Sequence, residues 1–211
     1  MPSHVHSAAS AASRGGARRS HLDLPDPEVP SVGAITWSGG LAATRHLQEQ
    51  GHRRIAVIGG PQHLLCSRAR IDGYRAALDA AGVPIDPELI GYGDFHHIGG
   101  YERARHLLAL PDPPTAVFAG SDEQAFGVVE AARVAGIDVP RDLSVVGFDD
   151  LPMSRWASPP LTTMRQPLAE MGRVNTQMLA SLMAGKPLDS TRVELATTLI
   201  VRSSTAPPPS R

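Results

Sequence analysis

Short apolar segments alternate with helical segments along most of this chain, and this alternation constrains the fold more than any other feature. Four segments are short and largely apolar, as covered strands are: RRIAVIGG, PELIGYG, TAVFAG and DLSVVGF. Three segments between them have the length and apolar spacing of helices: SRARIDGYRAALDAAG, IGGYERARHLLAL and SDEQAFGVVEAARVAG. Strand, helix and strand at this spacing predict an α/β fold, with a parallel sheet flanked by helices on both faces.

Capping residues mark where two helices should begin. Ser38 is the expected N-cap of a helix over 38–50, and Gly51 should end that helix. Ser121 is followed three residues later by Gln124, the pattern of a capping box in which each side chain satisfies a backbone N–H group of the other residue. We therefore expect Ser38 and Ser121 to open helices.

Two helices should each carry one apolar face. The face of the segment 67–82 is formed at spacings of three and four residues by Ile71, Tyr74, Leu78 and Ala81. A last helix over 167–184 repeats the pattern with Leu168, Met171, Met178 and Leu182. The β-branched segment RVELATTLIVRSST follows and should close the fold as one strand.

The composition is typical of a globular chain. Of 211 residues, 42% are apolar and 19% are charged, and the formal net charge of −1 gives no electrostatic footprint for nucleic acid or an anionic membrane. Cys66 is the single cysteine, which excludes an internal disulfide. No apolar run reaches the ~20 residues of a membrane-spanning helix, and the first residues lack the apolar centre of a secretory signal, so we predict a cytoplasmic protein.

Motifs of the common catalytic and cofactor sites are absent from the sequence. VIGGPQHLLCSR lacks the Gly-Lys-Ser/Thr end of a phosphate loop, and neither G-x-G-x-x-G after a strand nor G-x-S-x-G occurs. His96 and His97 are adjacent and point in different directions, which disfavours a metal site. We expect no catalysis, no metal and no cofactor, and we interpret Cys66 as a buried or incidental thiol. An acid–base or metal-binding pair formed by Asp149 and Asp150 stays open as an alternative.

Polar and aromatic residues collect where the predicted strands end. Ligands of open parallel sheets bind beyond the carboxyl ends of the strands. The residues at these ends are Ser67, Arg68 and Arg70, then Asp94 and Phe95, then Ser121 and Asp122, and finally Asp149 and Asp150. Carboxylates accept from hydroxyls, a guanidinium donates to them, and an aromatic ring covers an apolar sugar face, so the set suits a polyol. The simpler interpretation makes Ser121 and Asp122 helix caps and Asp94 a turn residue.

Six segments, in order along the chain, resemble the LacI/GalR family of bacterial transcription regulators. They are GHRRIAVIGGP, SRARIDGYRAALDAAG, PTAVFAGSDEQAFGVVEAARVAG, VPRDLSVVGFDDLP, PPLTTMRQPLAEMG and LIVRSST. The resemblance runs from Val29 to Thr205. It implies a periplasmic-binding-protein-like fold, in which two α/β subdomains close on a small ligand, and it implies a dimer.

The resemblance also implies roles for the residues at the strand ends. Arg70 would meet the hydroxyls of the ligand, Phe95 would pack on it, and Asp149 would fix two hydroxyls. Ser121 falls where many relatives have asparagine, within GSD, and would be a shorter donor. Five other residues would hold the ligand-contacting residues in place without touching the ligand themselves: Ser67, Arg68, Asp94, Asp122 and Asp150. Asp150 is expected to hold its loop rather than to touch the ligand.

The resemblance divides the chain into unequal parts. They are a disordered leader (1–30), the remnant of a truncated N-terminal subdomain (31–52 and 165–188), a complete C-terminal ligand-binding subdomain (53–164 and 189–205) and a frayed tail (206–211). The helix-turn-helix of the family should precede Val29, so we expect that this chain does not read operator DNA by itself. Helices 38–50 and 167–184 should leave apolar faces exposed or covered by a partner.

The resemblance therefore implies that this chain is the ligand-sensing portion of a LacI/GalR-type regulator. A sugar or sugar derivative would modulate operator binding of the intact regulator, and the chain would form a homodimer or pair with a full-length relative. A miscalled or truncated start and a genuine short product, acting only through full-length relatives, are both open explanations. A transport-type sugar-binding protein shares the fold, and the absence of a recognisable signal sequence argues against it.

Overall fold

The predicted sheet of parallel strands is present in the computed structural model, which describes residues 30–209. The strands are β1 (Ser31–Ala34), β2 (Ile55–Gly59), β3 (Ile90–Tyr92), β4 (Ala116–Ala119), β5 (Ser144–Asp149), β6 (Thr162–Arg165), β7 (Arg192–Leu195) and β8 (Thr198–Ile200). The α-helices are α1 (Thr36–Glu49), α2 (Leu65–Ala80), α3 (His97–Leu108), α4 (Asp122–Val134) and α5 (Leu168–Met183). Two short 3₁₀ helices cover Pro87–Leu89 and Pro152–Arg155.

The larger sheet has six strands in the order β3-β2-β4-β5-β6-β8. All of its pairs are parallel except the last, in which β8 runs antiparallel to β6. Alternate residues of each strand supply the two apolar layers, because side chains of a strand point to opposite faces. Ile55 and Val57 pack with α1 and α2, whereas Ala56 and Ile58 pack with α3 and α4. The predicted α/β fold is therefore confirmed.

The predicted helix ends are largely confirmed, with two exceptions. Gly51 has a φ of 104° and lies two residues beyond α1, as expected of a terminating glycine. The N-cap prediction for Ser38 is wrong, because α1 begins at Thr36 and the Ser38 hydroxyl donates to the Ile35 carbonyl at 2.9 Å. Ala81 does not belong to the buried face of α2, because it lies past the helix end and is exposed.

The closing segment forms two strands in two sheets, so the prediction of one strand is wrong. β7 pairs in parallel with β1 to form a separate two-stranded sheet, whereas β8 pairs with β6 in the larger sheet. The chain changes sheets at Ala196 and Thr197. β6 is an additional strand that apolar periodicity does not predict, because two of its buried residues are threonines.

Of the two helices expected to expose an apolar face, α5 does so and α1 does not. α5 has no buried residue, and Leu168, Leu179 and Leu182 are about half exposed, so the prediction is confirmed for this helix. It is wrong for α1, because Ala43 and Leu47 are fully buried against the larger sheet.

Glycines let α1 and α2 pack closely, and this packing positions a residue of the candidate site. A Cβ atom at Gly40 would clash with the backbone carbonyl of Arg70, and one at Gly73 would clash with the carbonyl of Trp37. Because both obstacles are backbone, neither can rotate away, so these positions require the absence of a side chain. The close contact anchors the backbone of Arg70.

The ends of the chain are described only in part. The predicted leader falls, apart from residue 30, outside the described residues, as do the last two residues of the tail. The prediction of a frayed tail is wrong for Ala206. Its N–H donates to Ser144 Oγ at 3.0 Å, and its carbonyl lies 2.8 Å from Nε2 of the buried His52. Within residues 30–209, none of the helices has the length and apolar character needed to cross a membrane. The predicted domain boundaries stay a prediction.

Candidate functional site

Three residues from separate parts of the sequence meet at the carboxyl ends of the parallel strands. The Arg70 guanidinium lies 3.8 Å from the centre of the Phe148 ring and 5.2 Å from that of Phe95. Its Nη2 is 3.8 Å from Asp149 Oδ1, and its Nη1 donates to the Gly120 carbonyl. Arg70 is 5% exposed, so its charge is held by two rings, a carboxylate and a carbonyl.

The loop before α3 holds Phe95 over this arginine. Phe95 has a φ of 71°, an unusual backbone for a bulky residue, and its ring occupies the space above Gly60. A side chain at Gly60 would clash with that ring. Asp149 and Asp150 also have positive φ values, of 117° and 58°. Strained backbone of this kind concentrates at functional sites, which favours a binding role for this edge of the sheet.

Ser121 serves the fold as the N-cap of α4. Its Oγ accepts from the Gln124 N–H at 3.1 Å and donates to the Phe95 carbonyl at 2.6 Å, so the cap interpretation is confirmed. The reciprocal half of the capping box is wrong, because Gln124 Oε1 accepts no hydrogen bond within residues 30–209, while Gln124 Nε2 donates to the Gly59 carbonyl. Ser121 therefore acts on the site through the position of Phe95.

Asp122 and Asp94 both organise loops. The Asp122 carboxylate accepts from Leu151 N at 2.7 Å, Ser154 Oγ at 2.6 Å and Thr163 Oγ1 at 2.5 Å, which fastens the β5–β6 connection. Burial raises the pKa of Asp122, and these three hydrogen bonds oppose the rise. It is the first helical residue of α4 rather than a cap. Asp94 Oδ1 accepts from His96 N at 3.0 Å and forms the expected turn.

The neighbouring acids Asp149 and Asp150 have different surroundings. The Asp150 side chain is 3% exposed and bonds Arg165 at 2.6 Å and Arg202 at 2.5 Å. Burial alone would raise its pKa, but the bonds from Arg202 and Arg165 hold it below the usual range. Burial raises the pKa of Asp149, against the opposing effects of Arg70 and of a hydrogen bond from Gln166. Asp150 is enclosed by its partners, whereas Asp149 is partly accessible.

A cleft of about 620 Å³ opens beside Arg70, between the larger sheet and the two-stranded sheet. Its walls come from residues 31–37, from the start of α2 with Cys66, and from Gln166, Met171 and residues 192–194. Among the nine predicted site residues, Arg70 is the one that lines this cleft. Cys66 is half-buried there, and the exposed Trp37 adds an aromatic ring. The volume is in the range of small-molecule sites.

Some polar groups of the site keep unused hydrogen-bonding capacity. Ser67 Oγ, Arg68 Nη2 and Arg70 Nε are buried and have no hydrogen-bond partner within residues 30–209. Arg70 Nε is the one that belongs to a residue of the cleft wall. Buried donors of this kind normally find a partner, so Arg70 has a donor to offer to a bound molecule.

Gln166 is absent from the residues predicted from the sequence. Its Nε2 donates to Asp149 Oδ1 at 2.5 Å, and it follows β6 directly. Because β6 is not apparent from periodicity, its end cannot be recognised as a strand end either. Gly60 could have been predicted as a site residue, because a glycine at the end of a buried strand commonly marks a place where a ligand or another part of the chain approaches the backbone closely.

Metal-ligating side chains do not gather in the part of the chain described by the structure. No group of three or more His, Cys, Asp or Glu side chains suited to a metal occurs within residues 30–209. His96 instead lies 3.1 Å from Glu123 on the surface.

The fold and the cleft are those of a ligand-binding α/β domain. Residues 44–205 match the family model described as a periplasmic binding protein-like domain. The chain therefore belongs to the periplasmic binding protein-like family, in the group that contains the LacI-family regulators.

Two curated relatives and two solved structures illustrate this group. The repressor CytR of Escherichia coli K12 is 39% identical over 181 residues, which are 86% of this chain and 53% of CytR. The regulator CelR of Thermobifida fusca is 40% identical over 183 residues, which are 87% of this chain and 54% of CelR. A solved complex of CelR with cellobiose has a TM-score of 0.82 and 41% identity, covering 87% of this chain and 56% of that one. A LacI-family regulator from Enterococcus faecium with bound ribose has a TM-score of 0.76 and 31% identity, covering 84% and 65%.

This chain spans about half the length of the curated relatives it matches.

Proposed function

We propose that this chain is the effector-binding portion of a LacI-family transcriptional regulator and that its effector is a small sugar or sugar derivative. The observation that carries the proposal is the meeting of Arg70, Phe95 and Asp149 at one edge of the sheet, where Arg70 also lines the open cleft. Asp149 accepts hydrogen bonds from ligand hydroxyls, Arg70 donates to ligand oxygens, and the Phe95 ring covers an apolar face of the sugar.

Relatives with bound sugars support this choice of ligand. The CelR structure holds cellobiose and the Enterococcus faecium regulator holds ribose, and both share the fold of this chain. A site built to hydrogen-bond hydroxyls also selects among sugars, because a ligand that lacks one hydroxyl leaves a buried polar group unpaired.

The proposed role in the intact regulator is ligand sensing without catalysis. The sugar stabilises one arrangement of the subdomains, and it shifts operator DNA binding only as far as its affinities for the two arrangements differ. DNA contact belongs to a headpiece of the intact regulator, and the regulator acts in the cytoplasm as a homodimer or with a full-length relative. The regulatory names of the curated relatives support a role outside catalysis.

Calorimetric titration with a panel of sugars that includes cellobiose and ribose tests the proposal. We expect at least one sugar to give a saturable 1:1 heat, and its analogue without one hydroxyl to bind about 10- to 100-fold more weakly, because a hydrogen bond to a charged group is lost. Turnover of a panel sugar, or the absence of saturable binding at millimolar concentration, would contradict the proposed function.

A further inference from the structure

We propose that the Gln166 side chain occupies the ligand-binding carboxylate in the unliganded protein and that a bound sugar must displace it. This inference rests on the proposed sugar-binding function. It adds an internal competitor to the site and a connection from the site to α5.

The contact itself is direct. Gln166 Nε2 donates to Asp149 Oδ1 at 2.5 Å, and the same oxygen lies 3.8 Å from Arg70 Nη2. Each carboxylate oxygen has about two acceptor sites. The Gln166 amide fills one of the two sites on Asp149 Oδ1, and the Arg70 guanidinium lies close to the same oxygen. A sugar hydroxyl that approaches Oδ1 therefore competes with the amide, as a donor of the same kind.

The position of Gln166 allows this exchange. Gln166 lines the cleft together with Arg70, so a ligand in the cleft meets the amide as well as the guanidinium. Asp149 is paired in register with Arg165 of the adjacent strand β6, which brings the next residue, Gln166, to the carboxylate. The amide belongs to the end of a strand and can leave by side-chain rotation without unpairing β6.

Displacing Gln166 would act on α5. The backbone carbonyl of Gln166 accepts from Leu168 N at 2.9 Å, so Gln166 forms the junction between β6 and the start of α5. α5 has no buried residue and contacts β1 of the two-stranded sheet. A helix with so few buried contacts can change its orientation at low cost. Release of the amide thus links sugar binding to the layer that carries α5.

Removing the competitor should tighten sugar binding. A site that is free in only a fraction of molecules has its apparent affinity reduced by that fraction. We expect Gln166→Ala to bind cellobiose or ribose, whichever saturates the unmodified chain, about 3- to 10-fold more tightly. Gln177→Ala is the matched control on exposed α5, where Gln177 accepts from Arg173, and it should leave the affinity unchanged.

A second measurement follows the carboxylate without sugar. A hydrogen bond to the charged form lowers a carboxyl pKa, so loss of the Gln166 amide should raise the pKa of Asp149, as read from its ¹³C carboxyl resonance. An unchanged pKa of Asp149 in Gln166→Ala would overturn the proposed occupancy. Asp149→Asn identifies the resonance.

The outcomes separate the two proposals. If the unmodified chain binds cellobiose or ribose and Gln166→Ala binds it equally or more weakly, displacement is wrong and the sugar site stands. If the unmodified chain binds no sugar of the panel, the proposed function fails, and displacement fails with it. Tighter binding by Gln166→Ala, with Gln177→Ala unchanged and a raised pKa of Asp149, supports displacement.

Discussion

Replacing Asp150 with asparagine should lower the free energy of unfolding by about 3 to 5 kcal/mol, because it removes one partner of a buried ion pair. The Asp150 side chain is 3% exposed and that of Arg202 is 13% exposed, so the guanidinium would stay buried without a carboxylate. Arg165 is 45% exposed and contributes less, because solvent screens it. Asparagine tolerates the φ of 58° at this position, which limits the change to the lost charge.

Urea unfolding at neutral pH measures this effect, and an unchanged slope identifies it as a change in stability. The lowered pKa of Asp150 means that its stabilisation is present above the ordinary carboxyl pKa and is lost as pH falls through the folded-state value. The difference between the unmodified chain and Asp150→Asn should therefore shrink below about pH 4. Glu194→Gln, in an exposed pair with Arg192, is the control and should cost less than about 1 kcal/mol. A loss of under about 1 kcal/mol in Asp150→Asn would show that the ion pair of Asp150 with Arg202 does not stabilise the fold as a buried pair should.

Replacing Asp149 with asparagine should weaken sugar binding by about 100-fold or more, because the ligand loses a charged acceptor in a partly desolvated site. Asparagine tolerates the positive φ of 117° better than most residues and keeps the size of the side chain. Burial already disfavours the Asp149 carboxylate, as its raised pKa indicates. Arg70 lies 3.8 Å from Asp149, beyond hydrogen-bond distance, and it keeps the Phe148 ring and the Gly120 carbonyl as partners. The free energy of unfolding should therefore fall less than in Asp150→Asn.

The two asparagine variants control for each other. Asp150→Asn should bind the sugar within a few-fold of the unmodified chain at a temperature where it is folded, whereas Asp149→Asn should be folded and should bind poorly. Calorimetry for binding and circular dichroism for folding make the comparison. Full retention of sugar affinity in Asp149→Asn would show that this carboxylate is not a ligand contact.

Most of the sheet was predictable from the sequence for a physical reason. β2, β4 and the first five residues of β5 are wholly buried, and strands covered on both faces read as continuous apolar runs. β6 does not follow this rule, because it contains two buried threonines, Thr162 and Thr163, whose hydroxyls find hydrogen-bond partners far away in the sequence. Thr162 Oγ1 accepts from Arg202 N at 2.9 Å, and Thr163 Oγ1 donates to Asp122 at 2.5 Å.

The candidate site was predictable only where strand ends could be located. The rule that ligands bind at the carboxyl ends of parallel strands brings Arg70, Phe95 and Asp149 to one edge, and the structure places them together. The rule does not say whether a residue at a strand end is free to bind a ligand. The Ser121 hydroxyl, for example, already donates to the Phe95 carbonyl and holds Phe95 in place. Gln166 could not be predicted, because it follows the one large-sheet parallel strand that lacks an apolar signature.

The central claim is that a sugar binds at the edge where these residues meet, and an amide NMR titration of the chain with the tightest-binding sugar of the panel tests it most directly. We predict that the largest shift changes fall at Arg70, Phe95, Asp149 and Gln166. Changes centred instead on His52 and Ala206, which join α1, the sheet and the chain end away from the cleft, would contradict it.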